Sequence, residues 1–200
     1  MANKNFEEKL NAALKLDMID PLRVLREGRA AGVLVLVGFS ENGNEPQLLI
    51  TKRTDTLDKH KGQYAFPGGA HDPEDDHDQG IVTTALRETE EETGISRKHV
   101  RVLGILPKLW TPSGFQITPV LAVLDTPIET TVMSLSADET AEVFWVSLST
   151  LTEAGIYRQE SMQYGNVSFP IHVFMIGHHR VWGATGAIIK NLLDRLQSLV

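Results

Sequence analysis

Arg87-Glu88-Thr89-Glu90-Glu91-Glu92-Thr93-Gly94-Ile95, which begins eighteen residues beyond Gly69 of the run Phe66-Pro67-Gly68-Gly69, decides how this chain is read. If the residues before Gly94 are helical, Glu88, Glu91 and Glu92 stand at i, i+3 and i+4 and crowd one face within a turn. Like charges so placed disfavour a helix by roughly a few tenths of a kcal/mol per pair. An acidic run alone is most often a solvated helix face. Here Arg87 can pair with Glu91 four residues on, Gly94 can end the helix in the left-handed conformation, and a Gly-Gly loop comes before it. Carboxylates grouped in this way suit Mg²⁺ or Mn²⁺, hard ions that prefer oxygen ligands and substrate phosphates.

Outward from this segment, Gly80 to Thr93 supplies Ile81, Val82, Ala85 and Leu86 for a buried helix face. Ala31 to Gly38 is apolar, β-branched and bounded by glycine, which predicts a strand buried on both faces. The turn residues 41–46 then return the chain as a partner strand over 47–51. Further strands are predicted over 100–106, 117–124 and 142–146. An amphipathic helix is predicted over 184–200 and an N-terminal helix over about 3–28. The fold class expected is α/β (α+β), with one mixed sheet between helices in a single domain spanning 1–200.

The net charge of −7 argues against nucleic acid as a partner, since phosphate-backbone binders present basic stripes. The chain has no cysteine, which removes thiolate catalysis, thiolate-bound zinc and disulfides. Its longest apolar stretch, 30–39, is far short of the ~20 residues that span a bilayer. The N-terminus is too polar for a secretory signal. No membrane association and a cytoplasmic location are therefore expected, and a homodimer is compatible with the chain. Lys52, Arg53, Lys59, His60 and Lys61 form a local concentration of positive charge upstream of the acidic helix. Together with metal ions, these cations can clamp a diphosphate from two sides. The glycines at 68 and 69 allow close backbone approach to a metal or phosphate.

The helix and glycine loop together resemble the Nudix box, G-x5-E-x7-R-E-U-x-E-E-x-G-U, where U is a bulky aliphatic residue. The second half is in register, with Thr89 at an aliphatic position. Counted back from Arg87, the box glycine falls on Pro73 and the first box glutamate on Gln79. Gly69 is the plausible glycine, which leaves a connection four residues longer than the box and an acidic loop over 72–80. Its histidines, His71 and His77, are expected at the surface. The run 48–69 is similar to the signature of the coenzyme A diphosphatase branch, L-L-T-x-R-(S/A)-x3-R-x3-G-x3-F-P-G-G. Thr51, Arg53, Gly62, Phe66, Pro67, Gly68 and Gly69 match it, while Thr54 replaces Ser or Ala and Asp58 replaces an arginine.

The resemblance implies a Nudix-type α/β/α sandwich and metal-dependent hydrolysis of a nucleoside diphosphate derivative. Coenzyme A, cleaved to 3′,5′-ADP and 4′-phosphopantetheine, is the first candidate. It implies Glu88, Glu91 and Glu92 as ligands of Mg²⁺ or Mn²⁺, with a carbonyl of Gly68 or Gly69, and Arg87 holding the carboxylates. It also implies a general base on a loop, for which Glu139 and Glu142 are both candidates. Arg53, Lys59, His60, Gly68 and Gly69 are the expected substrate contacts. ADP-ribose or a nucleoside diphosphate sugar is the alternative substrate, and a catalytically silent nucleotide sensor is the alternative of a different class.

Overall fold

A computed structural model describes residues 2–16, 28–43, 45–55, 62–75, 80–165 and 167–199. In chain order the elements are α1 (Ala2–Leu14), β1 (Arg29–Phe39), β2 (Pro46–Arg53), β3 (Tyr64–Ala65), β4 (Gly68–Ala70), α2 (Ile81–Thr93), β5 (Val100–Ile105), β6 (Leu109–Trp110) and β7 (Phe115–Leu124). They continue with β8 (Thr140–Ser147), α3 (Leu148–Thr152), β9 (Tyr157–Tyr164), β10 (Val167–Ile176), β11 (His179–Val181) and α4 (Gly183–Gln197).

β1 is the axis of a mixed eight-stranded sheet. It runs parallel to β7 along one side. On its other side it pairs antiparallel with β2 near its C-terminal end and with β4 near its N-terminal end. Its side chains alternate between two apolar clusters, as a strand buried on both faces requires. Leu34 and Leu36 enter a cluster with Val82 and Ala85 of α2. Val35, Val37 and Phe39 enter another with Leu10 of α1 and Ile188, Ile189, Leu192 and Leu193 of α4. Helices therefore cover both faces of the sheet.

The predicted strands and the C-terminal helix are present within a few residues of their expected limits. The N-terminal helix is shorter than the expected 3–28. It ends at Leu14, where buried Arg195 of α4 donates to the carbonyls of Ala13 at 2.9 Å and Leu16 at 2.7 Å. The guanidinium thereby satisfies carbonyls that a helix end leaves open. Residues 17–27 lie outside the described set.

A second sheet, β11-β10-β9, has no counterpart in the predicted elements. It is antiparallel and packs Phe174 and Val181 into the cluster beneath α4. Among the described residues, no helix is long and apolar enough to cross a membrane.

Candidate active site

Three glycines let α2 and the 68–70 strand close on β1. A Cβ added to Gly32 would stand 2.6 Å from the Ile81 carbonyl oxygen, so glycine at this point of β1 permits the helix to lie against the strand. Gly69 pairs with Gly32 across β1 and β4. A Cβ on Gly69 would meet the Glu88 carboxyl group at 2.4 to 2.6 Å, so the space above Gly69 is filled by that carboxylate. Gly68 adopts φ 151° and would drive a Cβ to 2.2 Å from the Gly32 oxygen. The glycine pair is therefore the floor on which the acidic helix rests.

The helix is built to bury one edge. Thr84, Thr89 and Thr93 are buried on α2, and each hydroxyl reaches a carbonyl of the preceding turn, at 3.3, 2.7 and 2.6 Å. This back-bonding accounts for Thr89 at a position where the family pattern has an aliphatic residue. Gly94 closes the helix at φ 73°, its N–H donating to the Glu90 carbonyl, and Ile95 drops into the core beyond it.

Glu88 and Glu92, one turn apart, share the buried edge. The Glu92 side chain is 4 % exposed, and its carboxylate lies 3.7 Å from Nη1 of Arg53, at the end of β2. Nε of Arg53 is buried and has no hydrogen-bond partner among the described residues. The third carboxylate is Glu139. The loop carrying it is fastened to the C-terminal turn of α2, with the Ser134 N–H on the Thr93 carbonyl at 2.9 Å and the Ser136 N–H on the Glu92 carbonyl at 3.2 Å. Thr54 holds it from the other side, its hydroxyl donating to the Asp138 carbonyl at 2.8 Å and its N–H to the Glu139 carbonyl at 3.0 Å. Carboxylate oxygens of Glu88, Glu92 and Glu139 thereby come within 4.8 Å of one another. They line a cleft of about 340 Å³ together with Arg29, Arg53 and Gly69.

Burial chiefly pushes the Glu92 carboxyl up to about 8, opposed by Arg53 and reinforced by the Glu88 and Glu139 charges. Glu88 is raised for the same first reason, with Arg87 opposing. Without a cation the trio cannot comfortably carry all its negative charge. The donor set is all oxygen and closely spaced, so it fits hard divalent ions.

The structure brings only some of the expected residues together. Glu91 does not join the trio; it lies on the outer face, 55 % exposed, with its carboxylate 2.8 Å from Nη1 of Arg87. The third carboxylate comes instead from a distant loop. Arg87 also holds Glu88, Nη2 to Oε1 at 3.0 Å, so it bridges the buried and exposed carboxylates. Of the two loop glutamates, Glu139 reaches the cleft, whereas Glu142 sits beside His178 and His179. The basic group is split by strand alternation: Arg53 lines the cleft, while Lys52 lies over the ring of Tyr64. His71, expected at the surface, is half-buried, bonds through Nδ1 to the Thr84 hydroxyl at 2.9 Å and lines the cleft, as does Asp72. The acidic loop begins as a 3₁₀ turn over Pro73–Asp75. Lys59, His60, Lys61 and Asp58 lie outside the described residues, as do 76–79. Arg29 escaped the sequence reading; its only sign there is a charge at the mouth of the most apolar strand.

An acidic trio on a helix and loop, facing an arginine over a glycine floor within a mixed α+β sandwich, is suited to a hydrolase that works on phosphate compounds with a divalent ion. The model of the NUDIX domain matches residues 27–164, and the chain belongs to the Nudix family of hydrolases. It is 39% identical to the uncharacterized Nudix hydrolase NudL of Cronobacter sakazakii, over 82% of this chain and 81% of that one. It is 33% identical to the NudL protein of Photorhabdus laumondii, over 88% and 90%. Its fold is similar to that of a MutT/nudix family protein from Enterococcus faecalis, with a TM-score of 0.50 and 17% identity, covering 96% of this chain and 74% of that one. Nudix hydrolases use divalent metal ions and act on nucleoside diphosphate derivatives.

Proposed function

We propose that the protein hydrolyses the diphosphate linkage of coenzyme A or a close derivative, yielding 3′,5′-ADP and 4′-phosphopantetheine, with Mg²⁺ or Mn²⁺. The observation that carries the hydrolytic reading is the meeting of Glu88, Glu92 and Glu139 opposite Arg53. The substrate choice is supported by the run from Thr51 to Gly69, whose matching residues include Arg53 in the cleft.

Glu88, Glu92, Glu139 and a carbonyl of Gly68 or Gly69 would hold the cations. Bound there, divalent ions supply charge neutralisation of the diphosphate and a water of lowered pKa. A cation held there would offset the burial that raises the Glu92 carboxyl and favour its charged form. Arg53, which lines the cleft, would offer its guanidinium to a phosphate oxygen, and Arg29, in the same lining, would take a second. Glu139, on a loop rather than the helix, would serve as general base through the carboxylate oxygen left free of a cation, taking up the proton of the attacking water. Arg87 fixes the Glu88 carboxylate and positions it. Glu91 serves as the outermost ligand, and its pair with Arg87 must open before it can turn inward. Lys59 and His60, part of the cationic run before the glycine loop, would add substrate contacts.

The test is a panel of coenzyme A, ADP-ribose and nucleoside diphosphate sugars, each with Mg²⁺ and with Mn²⁺. Turnover of coenzyme A well above the others supports the proposal. Consumption of ADP-ribose with coenzyme A untouched rejects the substrate, and binding without turnover of any compound would mark a silent sensor.

A further inference from the structure

Glu142, His178 and His179 stand apart from the acidic cleft and take no part in the reaction above. Glu142 is on β8, paired with Lys52 across β2. His178 occupies the two-residue turn between β10 and β11, after Gly177 at φ 60°, and His179 opens β11. The two elements belong to different sheets, yet one ligand atom from each of the three residues lies within 4.8 Å of the others.

The arrangement is rigid on one side and open on the other. The His179 ring stacks on Phe144 at 4.4 Å and 15°, and meets Tyr64 edge-on at 4.8 Å, which fixes its plane. The His178 ring lies 3.9 Å from it, on the exposed turn. These polar groups are assembled but not joined. Nε2 of His179 is 3.8 Å from the Glu142 carboxylate, beyond hydrogen-bond reach, and its Nδ1 is buried with no partner among the described residues. Burial, with His178 and Lys52, lowers the proton affinity of His179 against the opposing pull of Glu142.

We propose that Glu142, His178 and His179 form a second cation site, for a borderline transition metal such as Zn²⁺, that ties the turn of the small sheet to β8 of the large one. Two imidazoles and one carboxylate match Zn²⁺ chemistry and leave a coordination position for water, whereas the acidic cleft, all oxygen, selects Mg²⁺ or Mn²⁺. Lys52, the neighbouring cation on this face, weakens the site. Its ammonium lies 5.8 Å from the Tyr64 ring centroid.

The test is equilibrium dialysis of the full chain against Zn²⁺ in saturating Mg²⁺, which keeps the acidic cleft occupied, together with thermal melts with and without Zn²⁺. One Zn²⁺ retained per chain and a raised melting temperature are expected. His178→Ala and Glu142→Gln should each weaken retention at least about tenfold, while Lys52→Met should tighten it. His178 is exposed, so His178→Ala should melt like the parent chain without zinc, which separates a lost ligand from a lost fold. Zinc retained equally by the parent, His178→Ala and Glu142→Gln chains would overturn the proposal, as would no retention by the parent.

Discussion

Helix α2 carries four glutamates within five positions, and the fold gives its two sides opposite electrostatics. On the inner edge, Glu88 and Glu92 are drawn out of water over a glycine floor, and their carboxyl groups are pushed toward the neutral form. On the outer side, Glu90 pairs with Arg97 at 2.6 Å, which holds it below the usual carboxylate range, and Glu91 pairs with Arg87. Residue type is the same throughout. What differs is burial, since each side has arginine partners within reach. The inner pair stays raised by burial although Arg87 and Arg53 stand beside it, whereas the outer pair keeps its charge in water against Arg97 and Arg87.

The comparison breaks most visibly if the inner pair proves dispensable. Glu92→Gln should lower the turnover of coenzyme A by at least about 100-fold, since loss of a metal ligand exceeds the 10- to 100-fold typical of an outer-shell partner. Circular dichroism of the variant should match the parent. Near-normal turnover would remove Glu92 from the site. Gly69→Ala comes next, because its methyl group would overlap the Glu88 carboxyl at 2.4 to 2.6 Å. A roughly tenfold fall in turnover with a higher Mg²⁺ requirement is expected, measured by initial rates across a Mg²⁺ series.

Stability against pH tests the electrostatic half. The folded value of Glu92, about 8, stands above the ordinary 4.5, so the folded chain binds this proton more tightly than the unfolded chain does. The resulting stability is full below about pH 4.5 and is lost as pH rises through 8. Glu88 acts in the same direction, whereas Glu90 and Glu160, both lowered, act only toward more acid pH. The metal-free chain should therefore unfold in less urea at pH 8.5 than at pH 5.5. Glu92→Gln should flatten that decline by on the order of 2 kcal/mol. A decline of equal steepness in the variant would contradict the assignment. Smallest of all is Glu90→Gln, which loses an exposed ion pair; turnover should be unchanged and stability altered by less than about 1 kcal/mol in chemical denaturation.

How far this site could be read in advance follows from the same contrast. Contacts local in sequence were legible: the i, i+4 spacing of Glu88 and Glu92, the terminating Gly94, and the glycine loop beneath them. So was the alternation-free apolar run of β1, whose burial on both faces follows from its composition. Glu139 was not distinguishable from Glu142, because the choice depends on Thr54 and the end of α2 gripping a loop more than forty residues away in sequence. The outward position of Glu91 was hidden for a related reason: helical spacing gives the angle between side chains but not which of them faces the sheet. The small sheet stayed hidden because β9 is largely exposed and polar, and β10 contains Pro170, a residue that speaks against a strand. Arg53 and Lys52, adjacent in sequence, were separated only by strand alternation.

Mn²⁺ titration followed by electron paramagnetic resonance tests the central claim most directly, because it counts bound ions without requiring a known substrate. The account predicts that Glu92→Gln and Glu139→Gln each weaken Mn²⁺ binding by about tenfold or more, that Glu91→Gln weakens it less, and that Glu90→Gln leaves it unchanged. Parent-like Mn²⁺ binding by Glu92→Gln, or equal losses from all four substitutions, would contradict it.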